Sequence, residues 1–461
     1  MDPQQVSDRL LATDTMANAL LSIVVALALV GCVLAAVNDE IVRNIDASSS
    51  IVTVTLSVKA SGLEGGYSLM FPDATAARLA FLEVTDKDKN VYTVRAPQTD
   101  GVNSHFEVET GAQESATLKV KAVFTELLEM YPAKITQLEE QRVRLTDNHY
   151  VLSPYHTVSQ KTTVKLASSA VESYTRLEPN SQKGDRIVYG PYKEIPAMST
   201  APMVIHSVNN KPFAKLTRAE REIEVSHWGN IAVEETYELR NVGANLDGGF
   251  SRLDYQMQRS TDSPSFAGLT AFLPKEARDI YYRDQIGNIS TSDITANEDD
   301  LQMDVNTRFP LFGGWKTEFY VGYNVPASLA LFVDENDRYS LHFDYFTIFQ
   351  DVWVEGMEIK VVLPEGCTDI DVKLPYDVTE MVDTKRFTYL DSNLNGGRPV
   401  VTIRAKNVVE NHSEQVVISY NFQKSRMLVE PFMLVGFFFA IFLVMTVANA
   451  ASGNNDTKKK D

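Results

Sequence analysis

Along most of this chain apolar and polar residues alternate in short runs. Residues 51–58 set the pattern: Val52, Val54, Leu56 and Val58 fall on one side, Thr53, Thr55 and Ser57 on the other, before a break at Ser61 and Gly62. A period of two marks a half-buried strand, because successive side chains of an extended chain point to opposite faces. Similar runs occupy residues 117–124, 162–166, 231–239, 319–323, 359–363, 400–404 and 416–422, bounded by Gly, Pro, Asn and Asp. Those residues end strands and make turns. One stretch, 74–84, clusters Ala and Leu before the charged turn Asp86–Lys89 and predicts a helix. Short strands at such spacing favour sandwiches over an α/β sheet. The expected fold is mainly β, with two tandem β-sandwich-like domains over residues 36–212 and 213–426. A faint repeat accompanies this division. Val52, Val54, Leu56, Val58 and Gly62 line up with Val233, Glu235, Tyr237, Leu239 and Gly243, and residues 148–152 line up with 337–341. The Pro-containing stretch 191–212 is the expected joint.

Two runs depart from alternation. Residues 431–448 are apolar without a single charge, near the minimum needed to cross about 30 Å of hydrocarbon as a helix. A transmembrane helix is expected over 427–449, leaving residues 450–461 as a short cytosolic tail. Residues 20–36 form a second apolar run that ends in small residues. Val33 and Ala35 suit the preference of signal peptidase, which makes 1–35 a cleaved signal peptide. Asp2, Asp8 and Asp14 outweigh Arg9 ahead of it, whereas a signal peptide opens on positive charge; a start at Met16 would remove that conflict. An uncleaved signal anchor is the other reading. With a cleaved signal the bulk of the chain lies in the lumen, as in a single-pass type I protein. Lys458 and Lys459 sit third and fourth from the C-terminus, as in the dilysine signal that returns membrane proteins to the endoplasmic reticulum.

Charge and chemistry narrow the function by exclusion. The chain has 61 acidic and 43 basic side chains, a net charge of −18, and no basic stripe, so nucleic acid is not an expected partner. Of its two cysteines Cys32 lies in the signal segment, so Cys367 has no mate within the mature chain. The seven histidines show no metal-ligand spacing, and neither a nucleophile elbow nor a phosphate-binding glycine loop occurs. Asp86 with Asp88, and Asp369 with Asp371, are the pairs that could share a hard cation, but one lies in a lysine-rich turn and the other in an alternating stretch. No catalytic residue, metal or cofactor is expected.

Three sequons occur, and Asn288 and Asn411 fall ahead of the membrane helix, where glycosylation is expected; Asn455 lies in the tail. Trp228 and Trp315 each sit beside glycine, and Phe312 precedes Gly313 and Gly314. Large aromatics there either pack over a tight turn or form a contact face, so Trp228, Phe312 and Trp315 are the candidate contacts for a partner or a peptide.

Several segments resemble the ribophorin I family of the endoplasmic reticulum oligosaccharyltransferase: 224–235 (EVSHWGNIAVEE), 250–256 (FSRLDYQ), 281–292 (YYRDQIGNISTS) and 308–317 (RFPLFGGWKT). Residues 148–150 (NHY), 164–168 (VKLAS), 171–175 (VESYT) and 189–191 (YGP) agree, as does Glu430-Pro431. Animal members of the family continue into a long cytosolic region, whereas residues 450–461 alone follow the apolar run here, as in the shorter fungal form. The resemblance implies a non-catalytic subunit. A separate multispanning subunit transfers the dolichol-linked oligosaccharide to Asn in Asn-x-Ser/Thr, while the luminal domains hold the complex together and keep nascent polypeptides near it. Without the resemblance the same features would fit a membrane-bound chaperone or cargo receptor of the early secretory pathway.

Overall fold

Strands form where the alternation is strictest. In Val52–Ser61 every second side chain, from Val52 to Ala60, is buried, and in Asn230–Asn241 the inward positions run from Ile231 through Leu239. The computed structural model describes residues 36–456, except 64, 112, 258–262, 388–390 and 392–395. The expected signal peptide and the lysines 458 and 459 lie outside the described residues.

The chain builds one strand arrangement twice. The first half holds a seven-stranded sheet in the order Asn180–Lys183, Arg186–Ile195, His156–Leu166, Val37–Ala47, Val52–Ser61, Ser115–Phe124, Leu79–Thr85. The second half repeats it as Glu380–Arg386, Arg398–Val409, Trp353–Val362, Ala214–Ser226, Asn230–Asn241, Lys316–Pro326, Arg278–Asp284, with the short Gly287–Asn288 added at the edge. In both, the first strand of the half runs parallel to one neighbour, and the other pairings are antiparallel. A four-stranded sheet follows the same rule: Arg142–Asn148 pairs with Pro202–Val208, as Arg338–Asp344 pairs with Gln415–Asn421. Two separate cores result, one drawn from residues between Ile41 and Phe213 and the other from Ala214 to Tyr420.

Three expectations are corrected. Residues 74–84 are not one helix. A single turn, Asp73–Ala76, precedes the strand Leu79–Thr85, which pairs with Ser115–Phe124; sheet pairing overrides the helical preference of Ala and Leu. The stretch 191–212 is mostly strand, since Pro191 lies within Arg186–Ile195 and Pro202 opens the next strand; the crossing between cores falls at 209–213. The repeat is also shifted. The equivalent of Arg142–Asn148 is Arg338–Asp344, so 148–152 does not match 337–341. The other match slips by two residues, since Arg43 pairs with Leu56 as Arg221 pairs with Glu235, and alternation alone cannot choose among registers two residues apart.

The halves are fastened together. Val123, Trp353 and Val409 form a small core with Ile51, Ala80 and Phe81. Lys215 reaches Glu126 at 3.3 Å and Glu355 at 3.0 Å while lying 4.5 Å over the Trp353 ring. Lys134–Ile135 pairs in parallel with Asn245–Leu246. Gly313 lies against this seam, where a Cβ would run into the carbonyl of Ala244. From the far end of the second half emerges the helix Val429–Asp456, long and apolar enough to cross a membrane.

Candidate functional site

The aromatic residues singled out from the sequence do not converge. Trp228 tops the turn between Ala214–Ser226 and Asn230–Asn241 and is 62% exposed. Phe312 and Trp315 lie at the opposite end of that sheet, where Arg240 pairs with Lys316. Their rings are 5.6 Å apart, in a cluster with Phe250, Tyr255 and Phe309. Phe312 is itself buried, so it cannot meet a ligand directly; Phe250 and Phe309 are what the cluster shows to solvent, with Leu253 and Met257 exposed on the adjoining turn Arg252–Met257. That turn is tied to the first half through Gln137, whose side chain exchanges bonds of 2.9 and 2.8 Å with Ser251. Leu138 beside it is exposed too. The result is an apolar face contributed by both halves.

Around Trp228 the base of the membrane helix is anchored. Arg398 pairs with Glu224 at 2.5 Å and Asp391 at 3.1 Å, with Glu430 of the helix at 4.0 Å. His227 stacks on Phe422 at 4.1 Å and meets Tyr339 edge-on at 4.4 Å. Burial lowers its pKa from 6.5 to about 4.

Two buried arginines are the polar features that pattern reading missed. Arg43 donates to the carbonyl oxygens of Asn148 at 2.5 Å and His149 at 3.0 Å and pairs with Asp147 at 3.3 Å. Arg221 donates to the carbonyl of Asp344 at 2.7 Å and pairs with Glu235 at 3.0 Å. Asn148 and Asp344 are the last residues of equivalent strands, so the two arginines hold matching positions. Burial lowers the pKa of Arg43, with Asp147 partly opposing it. At Arg221 burial also acts downward, but Glu235, Tyr323 and Tyr237 outweigh it and the pKa is raised. Tyr237 and Tyr323 both donate to Glu235. Each arginine lines a groove between sheets, of about 520 Å³ in the first half and about 500 Å³ in the second. The signal was present in the sequence: Arg43 falls between Ile41 and Ile45, and Arg221 between Ala219 and Ile223, at inward positions of their strands.

The remaining candidates are scattered. Asn288 ends a tight hairpin, exposed, its side-chain oxygen accepting from Arg283 at 2.7 Å. Asn411 sits in the turn Glu410–His412, half-buried, its carbonyl accepting from Tyr376 at 3.1 Å. Asp86 accepts from the backbone of Asp88 and Asn90, closing its own turn. Asp369 accepts from Asn421 at 2.8 Å, while Asp371 faces outward. Among the described residues no three His, Cys, Asp or Glu side chains group as metal ligands. Cys367 is buried, and burial pushes its thiol up to about 12.

Known proteins align with the chain over most of its length. The family model described as Ribophorin I matches residues 36–449. A Caenorhabditis elegans protein named dolichyl-diphosphooligosaccharide–protein glycosyltransferase subunit 1 is 38% identical over 92% of this chain and 74% of its own. Subunit 1B of Arabidopsis thaliana is 38% identical over 88% of this chain and 90% of its own, and subunit 1B of Oryza sativa subsp. japonica is 34% identical over 87% and 88%. Among solved structures, native yeast LTA4 hydrolase covers 38% of this chain and 29% of its own at 12% identity, with a TM-score of 0.26, a likeness too slight to bear on fold or function. Matched from its first described strand into its membrane helix, the chain belongs to the ribophorin I family.

Proposed function

We propose that this chain is a non-catalytic, single-pass type I subunit of the endoplasmic reticulum oligosaccharyltransferase, which moves a dolichol-linked oligosaccharide onto Asn in Asn-x-Ser/Thr. The observation that carries the reading is the family match across residues 36–449, with relatives that bear the name of subunit 1 of that enzyme. The luminal bulk, organised as residues 36–212 and 213–426, serves assembly and keeps nascent polypeptides near a multispanning catalytic subunit. The apolar face of Phe250, Leu253, Met257 and Phe309, backed by Phe312 and Trp315, supports such contacts: a joint surface of two fastened halves is rigid, and apolar side chains left in water gain by being covered. Asn288 and Asn411 carry glycans in this reading, residues 1–35 direct entry to the lumen, and Lys458 and Lys459 return the protein to the endoplasmic reticulum.

Depletion of the chain from cells tests this. Sequon occupancy of a reporter glycoprotein, read as gel mobility before and after glycan removal, should fall and recover on re-expression. Unchanged occupancy after complete depletion would remove the proposal, and loss of secretion with full occupancy would favour a cargo receptor or chaperone.

A further inference from the structure

The turn that carries Trp228 lies beside the root of the membrane helix. A small cavity between them, about 80 Å³, is lined by Ser226, His227 and Trp228 on one side and Met427, Val429 and Glu430 on the other. The helix does not hang from a free linker. The turn Lys424–Leu428 leads straight into it; Lys424 meets Asp337 at 3.4 Å, and Arg398 ties Glu430 to the body. The side chain of Arg426 lies along Gly366. The angle between the second half and the helix is therefore set by packing, and so is the height of Trp228 along the helix.

The depth of Trp228 follows from the helix. The last charged residue before the apolar column is Glu430, and the exposed Phe432 begins it. With a rise of 1.5 Å per residue, the level of residues 427–430 lies roughly 3–8 Å, about one turn, above the first residue in hydrocarbon. This is the zone of headgroups and upper acyl chains. Tryptophan gathers there because its ring is apolar while its N–H can bond to water or a lipid oxygen. Phe387, 59% exposed, lies at the same end, because it follows Arg386, which pairs with Arg398. It is three strands along the sheet from the Trp228 turn, about 14 Å at the usual strand spacing.

We propose that this end of the second half rests on the bilayer surface, with Trp228 seated among the lipid headgroups beside its own helix and Phe387 as a second contact. The occupant is lipid rather than another subunit because the surface continues directly from the helix that must itself be surrounded by the membrane. The contact explains an exposed tryptophan at a turn tip whose neighbour His227 is packed firmly in place. It would hold the luminal body at a fixed tilt, which a single helix could not do alone.

The test places a benzophenone amino acid at position 228 of the full-length chain in its own microsomal membrane. The same probe goes at Phe432 as the lipid control, and at Ile286, which is 78% exposed at the opposite end of the sheet, as the solvent control. After irradiation, mass spectrometry should find phospholipid adducts at 228 and 432 and none at 286. A protein adduct at 228 in place of lipid would overturn the proposal in favour of a subunit contact. Lipid adducts at 432 with none at 228 would overturn it in favour of solvent. Among the described residues Trp228 hydrogen-bonds through its backbone alone, and resistance of the body to protease confirms that the probe has left the fold intact.

Discussion

At the scale of single residues the main risk in this fold is charge placed in a core. Arg221 and Glu235 are both almost wholly buried, and their stability depends on each other and on Tyr237 and Tyr323. Glu235→Ala would leave a guanidinium buried without its counter-charge, which costs about 3–5 kcal/mol. The β body ahead of the membrane helix should melt well below wild type in a thermal scan, and a melting temperature within a degree or so would show that the pair carries little. His227 makes a different prediction. Its folded pKa of about 4 lies below its ordinary 6.5, so an unfolded chain takes up a proton that the folded one refuses. The stability it contributes is complete above pH 6.5 and is lost as pH falls toward 4. His227→Phe, which keeps the stack on Phe422, should flatten the fall in melting temperature over that window. An unchanged slope would assign the pH dependence to other groups.

At the scale of elements, exposure decides which sequon is better placed. Asn288 projects from a two-residue edge strand, whereas Asn411 is half-buried in a short turn against Tyr376. Asn288→Gln should remove the larger part of any endoglycosidase-sensitive mobility shift, and an unaltered shift would leave Asn411 as the acceptor. The elements themselves were legible wherever one face was buried. In Val52–Ser61 and Asn230–Asn241 the inward side chains are apolar with few exceptions. The edge strand Leu79–Thr85 was not: its side chains are half-buried on both faces, with Val84 the one buried residue, so the period of two is absent and Ala and Leu read as helix. The buried arginines were hidden for the opposite reason. Their positions fit the alternation, but a charge at an inward place reads as an interruption until the sheet that bonds it is known.

At the scale of the whole molecule, two copies of one strand arrangement share a seam and stand on one helix. The sequence matches that suggested a repeat located the correct pair of strands, Val52–Ser61 and Asn230–Asn241, and missed the register. Pairing supplies what periodicity lacks: Arg43 faces Leu56 as Arg221 faces Glu235, so Leu56 corresponds to Glu235 rather than to Tyr237. The candidate site was legible only in part. Phe312 and Trp315 do lie together, but the face they support belongs to Phe250, Leu253, Met257, Phe309 and Leu138, which come from both halves and meet only in the fold. Trp228, grouped with them by its glycine neighbour, belongs to the membrane end.

The account turns on membership of a working oligosaccharyltransferase, and purification of the full chain from gently solubilised microsomes tests it most directly. A tag placed ahead of Val37, where the first strand opens, keeps the C-terminal lysines free. The multispanning catalytic subunit should co-purify in stoichiometric amount, with transfer of glycan to a sequon peptide that is lost when the isolated chain is assayed alone. Recovery of the chain without transferase activity, or with diverse secretory cargo in place of that subunit, would contradict the account.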